Sequence, residues 1–367
     1  MNWRKIVLTI HLYLGLSAGI FLIILGFTGS VIALEEDINH WLHPDLWYVT
    51  AGRRPLPEND LVSAAQYRFR DTRVLAIQFP EASNLAQVMQ MIDGTVVYLN
   101  PYDGSVLGST VGRSNSDLAL AYIHQIHLRL VPNPMWAPKL ADAGKIVVSV
   151  AGVFLCLLVP TGLALWWRDK RTSIHFKATD FKVPWFKLFH DAHQAVGIYV
   201  SLFLMIAAIT GILIGFDFGP RMFYSLTWSS PSALPQSFPT TPVPGAAPIM
   251  ADQVLEIARR AIPNARVVTM ILPQRSSGSF SVLMRVPQET SRAVHSTVTI
   301  DQYSGAVLNV RIYGDQPAGY RLIRFNRSIH TGDIFGFPSR ILVSISSLLL
   351  VAMVITGMVI WWKKLAV

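Results

Sequence analysis

HLYLGLSAGIFLIILGFTG, residues 11–29, decides the fold, because HQAVGIYVSLFLMIAAITG at residues 193–211 repeats its landmarks at a constant offset of 182. His11, Gly15, Phe21-Leu22 and Thr28-Gly29 return as His193, Gly197, Phe203-Leu204 and Thr210-Gly211. Neither stretch holds a fixed charge, and each lies in an apolar run able to cross a hydrocarbon core, which takes about 20 helical residues. Four such runs occur, at 6–34, 146–167, 195–216 and 341–362. The second and fourth end alike, Thr161-Gly162 before Trp166-Trp167 and Thr356-Gly357 before Trp361-Trp362, at an offset of 195. The repeated unit is therefore helix, intervening lobe, helix, used twice in the same orientation. The first run exceeds the roughly 7–15 apolar residues of a signal peptide and no A-x-A-like site follows it, so it is expected to remain as a helix.

The lobes repeat as well. VYLNPYDGSVL at 97–107 matches VTIDQYSGAVL at 298–308 at an offset of 201, each reading as strand, tight Gly turn, strand. Upstream, 60–69 and 251–261 have helical apolar spacing behind Asn and Asp residues suited to capping. Alternating stretches follow, such as 266–272 and 279–286, so each lobe is expected to be one helix against a small antiparallel sheet. Residues 229–248, rich in Pro and Ser, read as a linker. The expected divisions are helix 1 in 1–34, a first lobe and histidine-bearing segment in 35–143, helix 2 in 144–167, a loop and helix start in 168–194, helix 3 in 195–216, a second lobe and histidine-bearing segment in 217–338, and helix 4 with its tail in 339–367.

Charge places these parts. The 367 residues are 51% hydrophobic and 14% charged, against about 25% charged in soluble domains, yet the formal net charge is +9. The short pieces outside the membrane hold Arg4, Lys5, Arg168, Lys170, Arg171, Lys177, Lys182, Lys187, Lys363 and Lys364 against Asp169 and Asp180. By the positive-inside rule those pieces are cytoplasmic, both termini are inside and both lobes are outside. Trp3, Trp166, Trp167, Trp185, Trp361 and Trp362 mark the same face as an aromatic belt. The long segments carry −4 and +4 and cancel, which removes the case for nucleic acid as a partner. The lone cysteine, Cys156, excludes an internal disulfide, a Cys-rich metal site and covalent haem attachment. No G-x-G-x-x-G, Walker loop or H-E-x-x-H occurs.

The ten histidines carry the chemistry. His11 and His193 sit at matching depths in the first and third helices, and ionisable side chains inside a membrane are costly enough to signal function. Each is followed four residues later by Gly on the same helical face, which clears room for a flat macrocycle or another helix. Two imidazoles from symmetry-related helices suit the two axial positions of a haem iron. Ile126-His127 and Ile329-His330 occupy comparable places before helices 2 and 4 and form a second pair. His124 and His190, one turn away, are alternative ligands; the repeat favours His127 and His193, since position 327 is Arg and position 8 is Leu. No Cys or carboxylate stands beside the deep pair to complete a zinc tetrahedron. Arg129, Arg321, Arg324 and Arg327 flank the second pair as contacts for propionates or an anionic substrate, or as plain surface. His40 and His43, three residues apart, are read as interfacial surface or a metal or substrate site, and His175 and His295 as solvent-exposed. Gly15/Gly19 and Gly26/Gly29 equally fit close helix packing.

The tandem helix–lobe–helix layout, the strand–turn–strand core of each lobe and the histidine-bearing helices resemble the PepSY-associated transmembrane helix family. That resemblance implies a membrane α-helical fold of four tandemly duplicated transmembrane helices with two small extracytoplasmic α+β PepSY-like lobes. It further implies a bacterial inner-membrane ferrisiderophore reductase with two haem b per chain, bound through His11, His193, His127 and His330. Electrons would pass outward to a ferric siderophore in the periplasm, supplied by a reductase or quinol the sequence does not identify. The rival reading is a non-enzymatic binding or regulatory protein whose lobes capture a peptide or protease, or a haem relay with another acceptor. A chelate transporter is disfavoured, because no broken helix recurs at the midplane of corresponding segments.

Overall fold

The computed structural model describes residues 3–110, 115–167, 185–232, 238–287, 289, 291–292 and 294–365. The connection 168–184, with His175, Arg168, Lys170, Arg171, Lys177 and Lys182, lies outside the described residues, so its expected charge pattern has no structural counterpart here.

From the N-terminus, α1 (Trp3–Ile32), α2 (Glu35–Leu42), α3 (Pro44–Trp47) and α4 (Glu58–Arg68) lead into β1 (Val74–Gln78), β2 (Gln87–Met91), β3 (Val96–Leu99) and β4 (Val106–Ser109). After α5 (Asn115–Arg129) and α6 (Pro138–Trp167) the order recurs as α7 (Trp185–Gly215), α8 (Phe218–Leu226), α9 (Ala251–Ala261), β5 (Arg266–Ile271), β6 (Ser279–Arg285), β7 (Ser296–Asp301) and β8 (Val307–Arg311). Then come α10 (Ala318–Thr331), a 3-10 turn at Asp333–Phe335, and α11 (Phe337–Leu365). These elements form two compact units. A helical unit holds Met1–Glu35, Ala119–Trp228 and Leu322–Val367; a sheet unit holds Glu36–Leu118 and Ser229–Arg321.

In the helical unit, α1, α6, α7 and α11 are long and apolar enough to cross a membrane, and the protein is a multi-pass membrane protein. α1 packs on α6 and α11, and α7 does the same, so the repeated helices α1 and α7 stand diagonally across a four-helix bundle. The core obeys the repeat: Leu22 and Leu204, and Leu155 and Leu350, are buried counterparts joined by Ala18, Ala151, Val200 and Ala208. Small residues permit the close approach; a Cβ on Gly26 would meet the Ser347 carbonyl oxygen at 2.7 Å. α6 begins eight residues before the expected apolar run and α7 ten before. Hydropathy ends where charge begins, whereas the helical hydrogen-bond ladder continues through Asp142 and Lys145 into polar turns.

In the sheet unit the two lobes are not separate sheets. β1 pairs antiparallel with β5, through Ala76↔Ile271, Ile77↔Met270 and Gln78↔Thr269, and the eight strands run β4-β3-β2-β1-β5-β6-β7-β8. Leu61, Ile77, Met89, Met91, Val254, Met270, Met284 and Ile300 lie fully buried in one core with α4 and α9. The two repeated turns need positive φ, which Gly supplies at Gly104 (φ 73) and Gly305 (φ 72). The helix caps correct the local reading. α4 and α9 start after Pro57 and Met250, and each helix is capped by the other. Asp252 accepts from the backbone N–H of Glu58 (2.9 Å) and Asn59 (3.2 Å) and from Asn59 Nδ2 (2.8 Å), while Asn59 Oδ1 accepts from the Ala251 N–H (2.9 Å).

Beside this junction Glu58 is buried, with Gln87 Nε2 donating to its carboxylate at 2.6 Å. Burial, aided by nearby Asp252 and opposed by the Gln87 bond, pushes its carboxyl from 4.5 up to about 7. The folded protein then holds this proton where the unfolded chain has lost it, so stability falls as pH rises from 4.5 to 7 and levels off above. Glu58→Gln is expected to flatten that decline, worth up to ~3 kcal/mol, in denaturant titrations of the sheet unit's transition at pH 5 and pH 8.

Candidate functional site

Each of the four histidines singled out from the repeat is seated against one Thr-Gly pair on a different long helix. His11 Nδ1 lies 3.0 Å from Thr161 Oγ1, His193 Nδ1 2.9 Å from Thr356 Oγ1, His127 Nδ1 2.9 Å from Thr28 Oγ1, and His330 Nδ1 2.9 Å from Thr210 Oγ1. The glycine following each threonine lies under the imidazole. A Cβ on Gly162, Gly357, Gly29 or Gly211 would stand 3.1, 3.3, 3.0 or 3.1 Å from the Cε1 of its histidine. Any larger side chain there would push the ring away.

The threonines also set the tautomer. Thr161, Thr356, Thr28 and Thr210 donate their hydroxyl protons to the carbonyls four residues earlier, those of Leu157, Ala352, Ile24 and Ile206, at 2.8, 2.8, 2.7 and 2.6 Å. Each hydroxyl oxygen is thus left as an acceptor, and the histidine Nδ1–H donates to it. The proton is fixed on Nδ1, and Nε2 keeps its lone pair, the state that ligates a metal. Such supporting bonds orient a ligand and are commonly worth 10–100-fold in metal affinity.

His11 and His193 face one another with ring centroids 6.4 Å apart and planes crossed at 85°. Two imidazoles sharing one first-row metal through bonds of about 2 Å place their centroids about 6 Å apart, so this pair has the spacing of two ligands on one ion. A cavity of about 630 Å³ lies against both rings, walled by Leu12, Leu158, Leu204 and Met353 and bounded by Arg4, Lys5, Trp166 and Trp361. Its volume falls in the usual range for small-molecule sites. Among the described residues no three His, Cys, Asp or Glu side chains gather into a metal site. The protein thus offers two nitrogen ligands and an apolar slot, a donor set that suits an iron whose remaining ligands come from a macrocycle.

His127 lies near the C-terminal end of α5 and His330 near that of α10. Burial first, then the neighbouring His330 and His124, push the His127 imidazole down to about 3. Burial brings His330 to about 4. Both are neutral near pH 7. α10 is held in place by buried Asn326, four residues before His330: Asn326 Nδ2 donates to the Thr210 carbonyl at 3.2 Å. On both diagonal helices 17 residues separate the two levels, His11 from Thr28 and His193 from Thr210. At 1.5 Å per residue that is about 25 Å along the bundle.

The remaining expectations divide. His124, read as an alternative ligand, has its Nδ1 2.6 Å from Glu35 Oε2, a bond that raises its pKa, and none of the four threonines holds it. His190 lines the cavity, with Asp191 3.4 Å from its Nδ1 and Gln194 3.4 Å from its Nε2. Arg129, expected near a propionate, pairs with Asp142 at 3.3 Å. Arg324 is half-buried, with its Nε buried and without a hydrogen-bond partner among the described residues, and Arg327 is exposed. Arg321 belongs to the sheet unit. His43 is 3.1 Å from Asp117 and 3.3 Å from Ser116, and His40 packs at a tilt of 41° against Trp47 with ring centroids 4.1 Å apart, so both are built into their own unit. His295, expected to be exposed, is half-buried beside β7.

The threonines that seat these rings were not anticipated, although the signal was present: the Thr-Gly doublet recurs at every point of the repeat. Thr161→Val keeps the shape and removes the acceptor. Any metal group bound at the His11 level is expected to be held 10–100-fold less tightly by the variant, with the other level unchanged, as measured by retention through dilution.

A family model described as PepSY-associated TM region matches residues 8–364. No curated protein matches the chain.

Proposed function

The chain belongs to the PepSY-associated TM region family, and we propose that it is a transmembrane haem reductase, with one b-type haem at each level of the bundle. The observation that carries this reading is the fourfold geometry in which a threonine fixes each Nδ1–H and frees Nε2. Bound there, haem would supply one-electron exchange between ferric and ferrous iron, and ligation by two strong imidazoles would favour electron transfer over oxygen activation. The rest falls to the chain itself. His11 and His193 provide one ligand pair, and His127 and His330 the other. Their threonines hold the rings against rotation. Between the two levels the aliphatic layer of Leu22, Leu155, Leu204 and Leu350 excludes water.

The basic short pieces argue for an inner-membrane protein with both termini cytoplasmic and the sheet unit periplasmic. With that orientation the His11–His193 pair would lie on the donor side and the His127–His330 pair on the acceptor side. The acceptor we propose is a ferric siderophore, whose hard oxygen ligands hold ferrous iron less firmly. That assignment rests on the resemblance to the inner-membrane ferrisiderophore reductase FoxB and on the arginines of α10. The donor is a cytoplasmic reductase or a membrane quinol. The test is to reduce the purified protein with dithionite, remove the excess and add ferric siderophore. Reoxidation of the haem bands supports a ferric-chelate reductase; bands that stay reduced exclude that acceptor.

A further inference from the structure

The cavity against His11 and His193 has two cationic side chains in its lining, Arg4 and Lys5, both at the start of α1. Arg4 precedes His11 by seven residues, two helical turns, so the two share a face about 10 Å apart along the axis. Leu8 lies between them on that face and also lines the cavity. Away from this end the walls are mostly leucine, methionine and glycine, with Trp166 and Trp361 flanking the same end. A ligand with a flat apolar body and two anionic arms matches such a slot: the body replaces water against the leucines, and the arms meet the cations in charge-assisted hydrogen bonds. The other polar groups lining this end are His190 and Gln194, which bond to each other, with Asp191 beside His190.

We infer that Arg4 and Lys5 form a carboxylate-anchoring subsite that receives the two propionate arms of the macrocycle held by His11 and His193. This rests on the reading of that pair as a haem site. The two cations fix which edge of the ring points to the end of the bundle where α1 begins. Their positive charge disfavours the ferric state relative to the ferrous, so they raise the reduction potential of this haem above what the imidazoles alone would set.

The test uses the full-length protein with arms removed from either side. In a redox titration, Arg4→Gln/Lys5→Gln is expected to retain both haems and to raise the ferric-to-ferrous ratio of one of them roughly tenfold at fixed ambient potential, a downward shift of about 59 mV. The second haem is unmoved. Lys187→Gln removes a charge at the same end of the bundle but outside the cavity lining, and is expected to change neither. Reconstituting apoprotein with the dimethyl ester of the haem, which lacks the anionic arms, is expected to show equal retention by parent and double variant at this level, whereas haem itself is held more tightly by the parent. Arg4→Lys/Lys5→Arg keeps the charges and restores the parental titration. The inference is overturned if the double variant titrates like the parent, if Lys187→Gln gives the same shift, or if the parent holds the ester more tightly than the double variant does. A parent protein that binds no haem at all would instead overturn the reading on which this rests.

Discussion

Alanine at both His11 and His193 is expected to remove one haem per chain and leave the other spectrally unchanged. The two levels are independent in construction. The first pair is seated by Thr161-Gly162 and Thr356-Gly357, the second by Thr28-Gly29 and Thr210-Gly211, and no seat serves both. Removing two ligands at one level leaves the cavity without a nitrogen donor, and the apolar slot alone retains a macrocycle far less tightly. Pyridine haemochrome assay per chain should fall to half. His127→Ala/His330→Ala should also halve it, and the quadruple variant should reach zero. Loss of both haems from either double variant would mean that the levels fold as one unit. His124→Ala, by contrast, should retain both haems, since Glu35 and not one of the four threonines holds that ring.

The second large effect comes from a residue that touches neither ring. A Cβ on Gly144 in α6 would stand 1.7 Å from the carbonyl oxygen of Arg129 and 2.6 Å from its carbonyl carbon, the last residue of α5. Backbone cannot give way as a flexible side-chain end can, so Gly144→Ala must drive α5 and α6 apart. Overpacking of this kind typically costs about 1–3 kcal/mol. Here the displaced segment carries His127 two residues upstream, with its Nδ1 2.9 Å from Thr28. The variant is expected to unfold at lower temperature and to lose the haem at the His127–His330 level while keeping the one at His11–His193. Gly314→Ala, whose added Cβ would meet nothing within 4 Å, serves as the control and should leave both levels occupied.

Much of this was legible in the sequence, and the boundary of what was legible has a physical cause. A duplication reports its own landmarks, so the four helices, the histidine pairs and the Gly turns at Gly104 and Gly305 could be found by aligning the halves. What each landmark touches is another matter. His11 is seated by a threonine 150 residues away and His127 by one 99 residues away. Helical periodicity describes faces of one helix, not which neighbour a face meets, so the Thr-Gly pairs read as packing landmarks. Arg129 was placed beside His127 by proximity in sequence. Two residues further along a helix is about 200° around it, and the side chain points to Asp142 instead. The sheet shows the same limit. Alternation located the strands, but the pairing of β1 with β5 joins segments nearly 200 residues apart, and α4 and α9 each draw cap bonds from the other helix as well as, for α9, from its own Gln253.

The central claim is that four histidines, each with Nε2 freed by a threonine, hold two haems in one chain. Counting haem per polypeptide in the purified protein, together with its Soret and α bands, tests this most directly. The account predicts two b-type haems per chain, both low-spin and six-coordinate. A colourless protein, or one haem that survives loss of either histidine pair, would contradict it.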